Sequence, residues 1–245
     1  MKVIACLLMF MAFAGVCEAA DGAKFHPLGY SPDGRYFAFE QYGVQDGSGF
    51  TYADVFVLDT VADAWAEGTP INVLKEEESI NPRSARVAAA EKAAPVFHTL
   101  SITEPADVLA ANPFTEVVAD RRRITFHNHY NYAMGMFGNP EDQGTFSLVL
   151  TEVPVPVPKT CDIEDGIKGF RLALRENKKS LEKIVHEDKV LPDSRGCALG
   201  YDIEAIIAPS NVEEVKRLVA VIGVYRRGFE GADRRFIAVP FGWGR

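Results

Sequence analysis

The sequence predicts a mainly β protein: an antiparallel β-sandwich or barrel-like domain with a short helical insertion near residues 81–112. Two patterns carry this prediction. From residue 113 onward, runs of alternating apolar and polar residues recur, as expected of strands that bury one face. A single Ala-rich stretch has the flanking residues of a helix. The 245 residues are 47% hydrophobic and 24% charged, which is a normal globular composition and excludes disorder of the whole chain.

The first nineteen residues have the pattern of an export signal. Lys2 supplies a positive start, residues 3–16 form an apolar run, and small side chains at Cys17 and Ala19 precede a predicted cleavage before Ala20. The run is too short to span a bilayer, and no later stretch reaches the roughly eighteen apolar residues of a transmembrane helix. We therefore expect a periplasmic or secreted protein with no transmembrane segment after signal removal.

Cysteine use agrees with export. Cys6 and Cys17 lie in the predicted signal, where a lipidated Cys17 is an alternative to simple cleavage. Cys161 and Cys197 then remain, and two cysteines in an oxidising compartment most simply pair with each other. A loop of this length would stabilise the fold by roughly 3–4 kcal/mol in the chain-entropy estimate. The spacing lacks the Cys-x-x-Cys of a redox-active pair, so we expect a structural disulfide.

Residues 20–245 are expected to form one predominantly β domain, of which 20–80 is a hairpin region. The turn at 30–35 contains Ser-Pro-Asp-Gly, in which Pro fixes φ, Asp bonds its own backbone and Gly accepts a positive φ. A strand follows from Tyr36. We expect a long Gly-rich link at 43–49 and then a second strand over residues 53–59.

The region 81–112 is the predicted helical insertion. Asn81 can cap the helix, and Pro82 suits its first position. An Ala-rich run follows up to Pro95, which we expect to interrupt the helix. A second short helix is expected over residues 103–111.

Residues 113–245 form the predicted β core. Alternation predicts strands at 123–130, 145–153, 167–175 and 201–207. Residues 218–224 are apolar on both faces, which suits a central strand, and residues 236–239 are its expected partner. Prolines recur with period two over 154–158, which predicts an edge strand or a polyproline extension.

Two resemblances accompany these patterns. The segments 28–39 and 54–59 resemble one hairpin of the TolB-type β-propeller repeats, which carry the same Ser-Pro-Asp-Gly turn before an aromatic-aliphatic strand. A complete propeller is not expected, because the turn occurs only once and propellers repeat their blades. Taken whole, the chain is similar to a bacterial family of predicted secreted proteins that contain a domain of unknown function. The segments that carry this similarity are 29–40, 45–49, 191–197 and 228–236. It implies export and one shared fold, and it brings no activity or catalytic residues.

Charge and motifs limit the possible functions. A net charge of −8 disfavours nucleic-acid binding, because an acidic chain gains nothing from counterion release. The Arg triplet at 121–123 is the only dense basic spot and is expected to be a solvated strand entrance. The sequence contains no Gly-x-Ser-x-Gly elbow, phosphate-binding loop or dinucleotide fingerprint. We therefore expect no cofactor and favour a non-catalytic role.

His127 and His129 are candidate metal ligands. They flank Asn128 in a predicted strand, so both side chains share one face. Zinc hydrolases can use such a pair together with a third ligand and an open position for water. The sequence does not select the third ligand, and two solvent-facing histidines are the alternative. A metal-dependent hydrolase is therefore a second hypothesis for function.

Two loops are candidate binding loops, because loops on rigid sheets often carry binding. The first contains Asp46 and Ser48, and a wide hairpin turn without function is its alternative. The second combines an apolar Phe229 with the charged residues Glu230 and Arg234, and its alternative is a loop whose phenylalanine packs onto the sheet.

The first hypothesis for function is an exported, non-catalytic β protein that binds another envelope protein or a glycan through such loops. A cell-wall polysaccharide-binding module is a further alternative. In that case exposed rings of Tyr36, Tyr42, Phe50 and Tyr52 would stack on sugars.

Overall fold

The computed structural model describes most of the chain after residue 19. The described ranges are 20–79, 81–113, 115–127, 145–162, 166–176, 181–210 and 217–242. Within them the chain forms thirteen β-strands, one α-helix and one short 3-10 helix. Every pair of neighbouring strands is antiparallel. The mainly β, antiparallel fold class is confirmed. The predicted export signal, with its cleavage at Ala19, and His129 lie outside the described residues.

The first five strands form one sheet, which we call the N-terminal sheet. They are β1 (Lys24–Tyr30), β2 (Tyr36–Val44), β3 (Phe50–Asp59), β4 (Ala64–Trp65) and β5 (Ile71–Glu78). β2 lies between β1 and β3, and β4 and β5 share the far edge of β3. The turn before β2 has the predicted chemistry, since Gly34 has a φ of 70° and Asp33 Oδ1 accepts the Arg35 backbone N–H at 3.1 Å.

The helix α1 (Arg83–Leu100) lies on one face of the N-terminal sheet. Its fully buried residues are alanines at four-residue intervals, Ala85, Ala89 and Ala93, and they pack against Ala53 and Val55 of β3. Residues four apart share one helix face. Small side chains on that face let the helix backbone approach the sheet closely, which explains the Ala-rich sequence.

Two expectations for this region were wrong. Pro95 does not end the helix, which continues to Leu100. Pro95 is exposed, so the packed alanine face holds the helix together across the hydrogen bond that proline cannot donate. The predicted second helix over 103–111 is instead the strand β6 (Ala106–Ala111), because pairing with a neighbouring strand overrides local propensity.

The remaining strands form two further four-stranded sheets. The central sheet has the order β13-β12-β11-β6, and the outer sheet has the order β10-β9-β8-β7. The strands of the central sheet after β6 are β11 (Gly200–Pro209), β12 (Arg217–Arg227) and β13 (Ala232–Gly242). Those of the outer sheet are β7 (Arg123–His127), β8 (Thr145–Val153), β9 (Gly169–Glu176) and β10 (Leu181–Glu187).

The central sheet is covered on both faces. The side chains of β12 divide between two cores. Those of Leu218, Ala220, Ile222 and Val224 pack in one core with the outer sheet. Those of Val219 and Val221 pack in a second core with the N-terminal sheet. This double burial confirms the expected central strand, and each such aliphatic side chain stabilises the fold by roughly 1.5–3 kcal/mol. The order of layers is helix, N-terminal sheet, central sheet and outer sheet.

The N-terminal hairpin differs from its prediction. β2 extends to Val44 and β3 begins at Phe50, so the link is shorter than the predicted 43–49. The resemblance to a TolB-type propeller repeat is not supported, because the hairpin belongs to a five-stranded sheet stacked on two others. The proline segment at 154–158 lies outside the strands, so it is not an edge strand.

Candidate functional site

Two hairpin loops from different sheets meet at one end of the molecule. The β2–β3 loop spans residues 45–49 and the β12–β13 loop spans 228–231. The Glu230 backbone N–H donates to Asp46 Oδ2 at 3.1 Å. The ring of Phe229 lies against Gly47, 3.4 Å from the position a Cβ atom would take. We call this pair of loops the hairpin tip. It joins the two predicted binding loops, which are far apart in sequence.

Local hydrogen bonds fix both loops. Ser48 Oγ donates to Gln45 Oε1 at 3.0 Å and accepts the Phe50 backbone N–H at 3.2 Å. The Gly228 N–H donates to the Gly231 carbonyl at 2.8 Å. The Ser48 hydroxyl is therefore used inside its own turn. Its two hydrogen bonds, to Gln45 and Phe50, hold the β2–β3 loop in its observed conformation.

Phe229 is the exposed feature of the hairpin tip. Its side chain is 79% exposed, and every other described phenylalanine, tyrosine and tryptophan is buried or half-buried. The predicted alternative, in which this ring packs onto the sheet, does not describe this placement. This placement leaves most of the ring available for contact with another molecule.

Arg234 lies below the tip and is almost fully buried, with 6% exposure. Its Nη2 donates to both Asp202 carboxylate oxygens at 3.2 and 3.1 Å and also to Glu204. Its guanidinium lies 4.7 Å from the centre of the Phe236 ring. Arg234 was predicted as a binding-loop residue, and these contacts instead hold its side chain inside the fold, away from the surface of the tip.

A second polar cluster ties the N-terminal sheet to the edge of the central sheet. Arg235 donates to Asp21 Oδ2 at 2.6 Å, and the Tyr52 hydroxyl donates to Asp21 Oδ1 at 2.9 Å. The Arg235 guanidinium also lies 4.5 Å from the centre of the Tyr52 ring. Burial raises the pKa of Tyr52, so this hydroxyl remains a donor at all ordinary pH values. This cluster joins β3 to β13 a few residues from the two loops.

The candidate metal ligands are only partly described. His127 is exposed at the end of β7, with Nδ1 3.4 Å from the Thr145 hydroxyl. His129 lies outside the described residues. In the described ranges no three His, Cys, Asp or Glu side chains come together as a metal site. The described structure therefore brings no third ligand to His127.

The predicted aromatic platform is not formed. Tyr52 faces inward with 5% exposure, and Tyr42 is half-buried beneath the Arg86 guanidinium, which lies 4.0 Å from the ring centre. Tyr36 and Phe50 are half-buried. Because side chains alternate along each strand, these four rings divide between opposite faces of the sheet.

Sequence reasoning missed a buried cluster near the disulfide. Asp188 accepts hydrogen bonds from Arg195 Nη1 at 3.1 Å and from the Phe170 N–H at 3.0 Å, and its Oδ1 lies 3.1 Å from His186 Nε2. Burial opposes ionisation of Asp188, but the His186 hydrogen bond and the Arg195 charge outweigh burial and lower its pKa. No sequence motif marks this set, because its members come from separate strands and loops.

The expected disulfide is formed, and two arginines of the basic triplet bind groups within the fold. Cys161 and Cys197 are bonded, with Cα atoms 5.6 Å apart, and both pack against the core between the central and outer sheets. In the triplet, Arg122 pairs with Glu152 at 2.7 Å, and Arg121 donates to the Asn112 carbonyl at 3.1 Å. These two arginines are thus engaged within the fold at the entrance to β7.

Comparison with known families gives one result. A family model described as "Predicted secreted protein (DUF2259)" matches residues 38–241, which cover β2 to β13. No curated protein and no solved structure matches the chain. In the part of the chain that the structure describes, no helix has the length and apolar character to cross a membrane. The chain belongs to the DUF2259 family of predicted secreted proteins.

Proposed function

We propose that this secreted-family protein is a non-catalytic binding protein of the cell envelope, and that it contacts another envelope protein through the hairpin tip. The observation that carries the proposal is Phe229, a largely exposed ring mounted on Gly47 of a second, hydrogen-bonded loop. Binding energy in protein interfaces is concentrated in a few aromatic or arginine anchors surrounded by polar groups. The tip offers one such anchor with Asp46 and Glu230 beside it.

The shape of the tip favours a protein partner over a small molecule. Phe229 projects from the end of a hairpin, whereas small-molecule sites are concave and enclose their ligand. The loops are fixed by internal hydrogen bonds and glycine-specific turns, so little conformational entropy is lost when a partner binds. A partner with an apolar pocket ringed by donors would complement the ring and its two neighbouring carboxylates.

The buried charges support a structural rather than a catalytic role. Asp21, Asp188 and Asp202 each accept hydrogen bonds from an arginine and from a second donor. The oxygens of these carboxylates are already engaged by groups of the protein itself, which is typical of buried charges that organise a fold. The proposal therefore assigns function to the exposed loops.

The test is site-specific photocrosslinking in the producing cell. A photoreactive phenylalanine analogue replaces Phe229 in one variant and Val190 in a control variant, because Val190 is also exposed, at 65%, and lies outside the tip. We expect a discrete crosslinked species from position 229 that position 190 does not give. Equal patterns from both positions, or no species from either, would contradict the proposal.

The crosslinked partner is then identified, purified and titrated against the protein by calorimetry. Phe229→Ala is expected to weaken binding at least tenfold, as truncation of an interface anchor does, whereas Val190→Ala leaves the affinity unchanged. An unaltered affinity in Phe229→Ala would refute the role of the tip even if a partner exists.

A further inference from the structure

A cleft lies on the helix-covered face of the N-terminal sheet, which is the face that does not pack on the central sheet. α1 packs mainly over β3 and β5; of β1, Leu28 packs against the helix, whereas His26 remains exposed beside it. The cleft lies between α1 and β1 and has a volume of about 300 Å³, at the lower end of ligand-binding pockets. Its lining residues come from β1, β2, β3 and α1.

The floor of the cleft is apolar. Leu28 comes from β1, Val55 from β3 and Phe97 from α1, so three elements contribute to it. Val87 lies on the wall and is 50% exposed, although it stands on a helix beside a packed sheet. An apolar floor that the fold leaves uncovered favours a ligand with an alkyl chain or another apolar body.

The rim of the cleft is cationic. Arg83 and Arg86 lie in the first turn of α1, which contains no acidic residue, and His26 faces them from β1. In the described part of the chain, the side chains of Arg83 and His26 form no ion pair. The one carboxylate in the lining, Glu40, pairs with Arg86, so the unpaired Arg83 gives the rim an excess of one positive charge.

Arg86 is held in place before any ligand arrives. Its Nε and Nη2 donate to both Glu40 oxygens at 2.8–3.1 Å, and its guanidinium stacks 4.0 Å from the centre of the Tyr42 ring. The third guanidinium nitrogen, Nη1, has no partner in the described structure. A fixed arginine with a free donor beside a second arginine matches the two oxygens of a carboxylate.

We propose that this cleft binds a free single-chain carboxylate, with its alkyl chain on the apolar floor and its carboxylate at Arg83 and Arg86. The charge of the rim selects an anion, and the small volume selects one chain rather than two. A positive rim above an apolar floor predicts the order of affinity among single-chain ligands of equal length. A carboxylate binds more tightly than the neutral alcohol of equal length, and a quaternary ammonium binds least.

The experiment is calorimetric titration of the purified full protein with decanoate, decanol and decyltrimethylammonium, each below its aggregation limit. We expect saturable one-to-one binding of decanoate and at least tenfold weaker binding of the other two probes. Octanoate is expected to bind more weakly than decanoate by about fourfold per methylene lost from the buried chain. Comparable affinity for all three decyl probes, or no binding of decanoate, overturns the proposal.

Matched variants locate the site. Arg83→Gln is expected to weaken decanoate binding five- to tenfold. Arg227 is also exposed but lies on β12, away from the cleft, so Arg227→Gln is expected to leave the affinity unchanged. Val87→Glu places a like charge on the wall and is expected to abolish binding. Val108→Glu, at 52% exposure on β6, is its control. Each variant is first shown to unfold at the urea concentration of its control. Folded Arg83→Gln and Val87→Glu variants that bind decanoate normally would overturn the assignment of this cleft.

A further experiment distinguishes a free carboxylate from the lipids of a membrane surface. Vesicles of phosphatidylglycerol, added in place of decanoate, are expected not to bind the protein in flotation, because two-chain lipids in a bilayer do not reach the floor of a 300 Å³ cleft. Flotation with these vesicles that Arg83→Gln abolishes would replace the proposed ligand with a membrane surface. The result is independent of the hairpin tip, so failure here leaves the proposed function standing.

Discussion

Gly223 shows how one residue without a side chain makes room for a buried ion pair. It lies on β12 between Asp202 of β11 and Phe236 of β13. A Cβ atom at this position would lie 2.0 Å from Asp202 Oδ1 and 2.8 Å from Arg234 Nε. The glycine therefore lets the carboxylate and the guanidinium meet across the face of the central strand.

Gly223→Ala is expected to destabilise the protein by about 2–4 kcal/mol, because the added methyl group displaces one partner of a buried charge pair. The control is Gly22→Ala, where a Cβ atom would meet nothing within 4 Å. Urea unfolding followed by circular dichroism measures both. Equal midpoints for the two variants would show that the ion pair adjusts without cost.

Asp59 is the residue that should give a clear pH dependence. Its carboxylate accepts two hydrogen bonds from Arg35 and also accepts the Val61 and Ala62 backbone N–H groups. The Arg35 hydrogen bond is the main cause of its lowered pKa. Because the pKa is lower in the folded state, the charged form stabilises the fold. This contribution is complete above the unfolded pKa of about 3.9 and is lost as the pH falls through the folded pKa.

Asp59→Asn is expected to cost up to about 1 kcal/mol at pH 7, where the Arg35 pair is partly exposed to solvent. The amide oxygen can still accept the two backbone N–H groups. The amide nitrogen cannot accept from Arg35, so the variant keeps the turn and removes the ion pair together with its two hydrogen bonds. Urea unfolding at pH 7 and near pH 2.5 should show the difference from wild type shrinking at the lower pH. A difference that stays constant with pH would assign the effect to geometry instead.

At the scale of elements, the alanine face of α1 determines how the helix sits. Ala85, Ala89 and Ala93 are fully buried, and Arg86 beside them pairs with the buried Glu40 of β2. Because this face packs mainly on β3 and β5, the cationic cleft remains open between the helix and β1. The position of the helix and the proposed ligand site thus have one cause.

Ala89→Leu is expected to destabilise the protein by about 1–3 kcal/mol, because three added carbons do not fit between helix and sheet. Ala94→Leu is the matched control, since Ala94 is exposed on the same helix and leucine and alanine differ little in helix propensity. The measurement is the urea midpoint of each variant. A neutral Ala89→Leu would mean that the helix is only loosely packed on the N-terminal sheet.

For the whole molecule, the disulfide and the stacked sheets act together. Cys161 precedes β9 of the outer sheet and Cys197 precedes β11 of the central sheet, so the bond links the connections of two packed layers. The hydrophobic core between these layers is the larger of the two that flank the central sheet. The bond therefore limits the unfolded chain at the connections of the two layers that enclose the larger core.

The double variant Cys161→Ser/Cys197→Ser is expected to lose roughly 3–4 kcal/mol of stability, the chain-entropy value for a loop of this length. Reductant should lower the unfolding midpoint of the wild type to that of the double variant. The double variant is the control, because its own midpoint should not respond to reductant. A wild-type midpoint that does not respond to complete reduction would show that the layers alone determine stability.

Sequence patterns predicted what depends on neighbours along the chain. Alternation located β8, β9 and β11, and the run of residues 218–224 identified the central strand because its two apolar faces require two partners. The same reasoning was wrong at 103–111, where pairing with β11 decides the conformation. It was also wrong at Pro95, where packing of the opposite helix face carries the helix past a residue that local rules would place at its end.

The candidate site was predicted only in parts. Asp46, Phe229 and Glu230 were singled out as members of two separate loops, and their mutual contact spans 184 residues. Arg234 was expected among the loop residues, yet its partners Asp202 and Glu204 hold it inside the fold. The cationic cleft had no sequence signal, because its residues come from β1, β2, β3 and α1 and none of these segments carries a motif.

Local patterns in the sequence are sufficient to predict an export signal, a mainly β fold, the central strand and the pairing of the two cysteines. Each of these follows from hydrophobic periodicity, cysteine number or local turn chemistry, which act over a few residues or over the chain as a whole. The stacking of the three sheets, the contact between the two loops and the cleft beside α1 could be found only from the folded chain. These features arise from contacts between distant segments, and such contacts are set by which faces bury each other, a choice that no single segment makes alone.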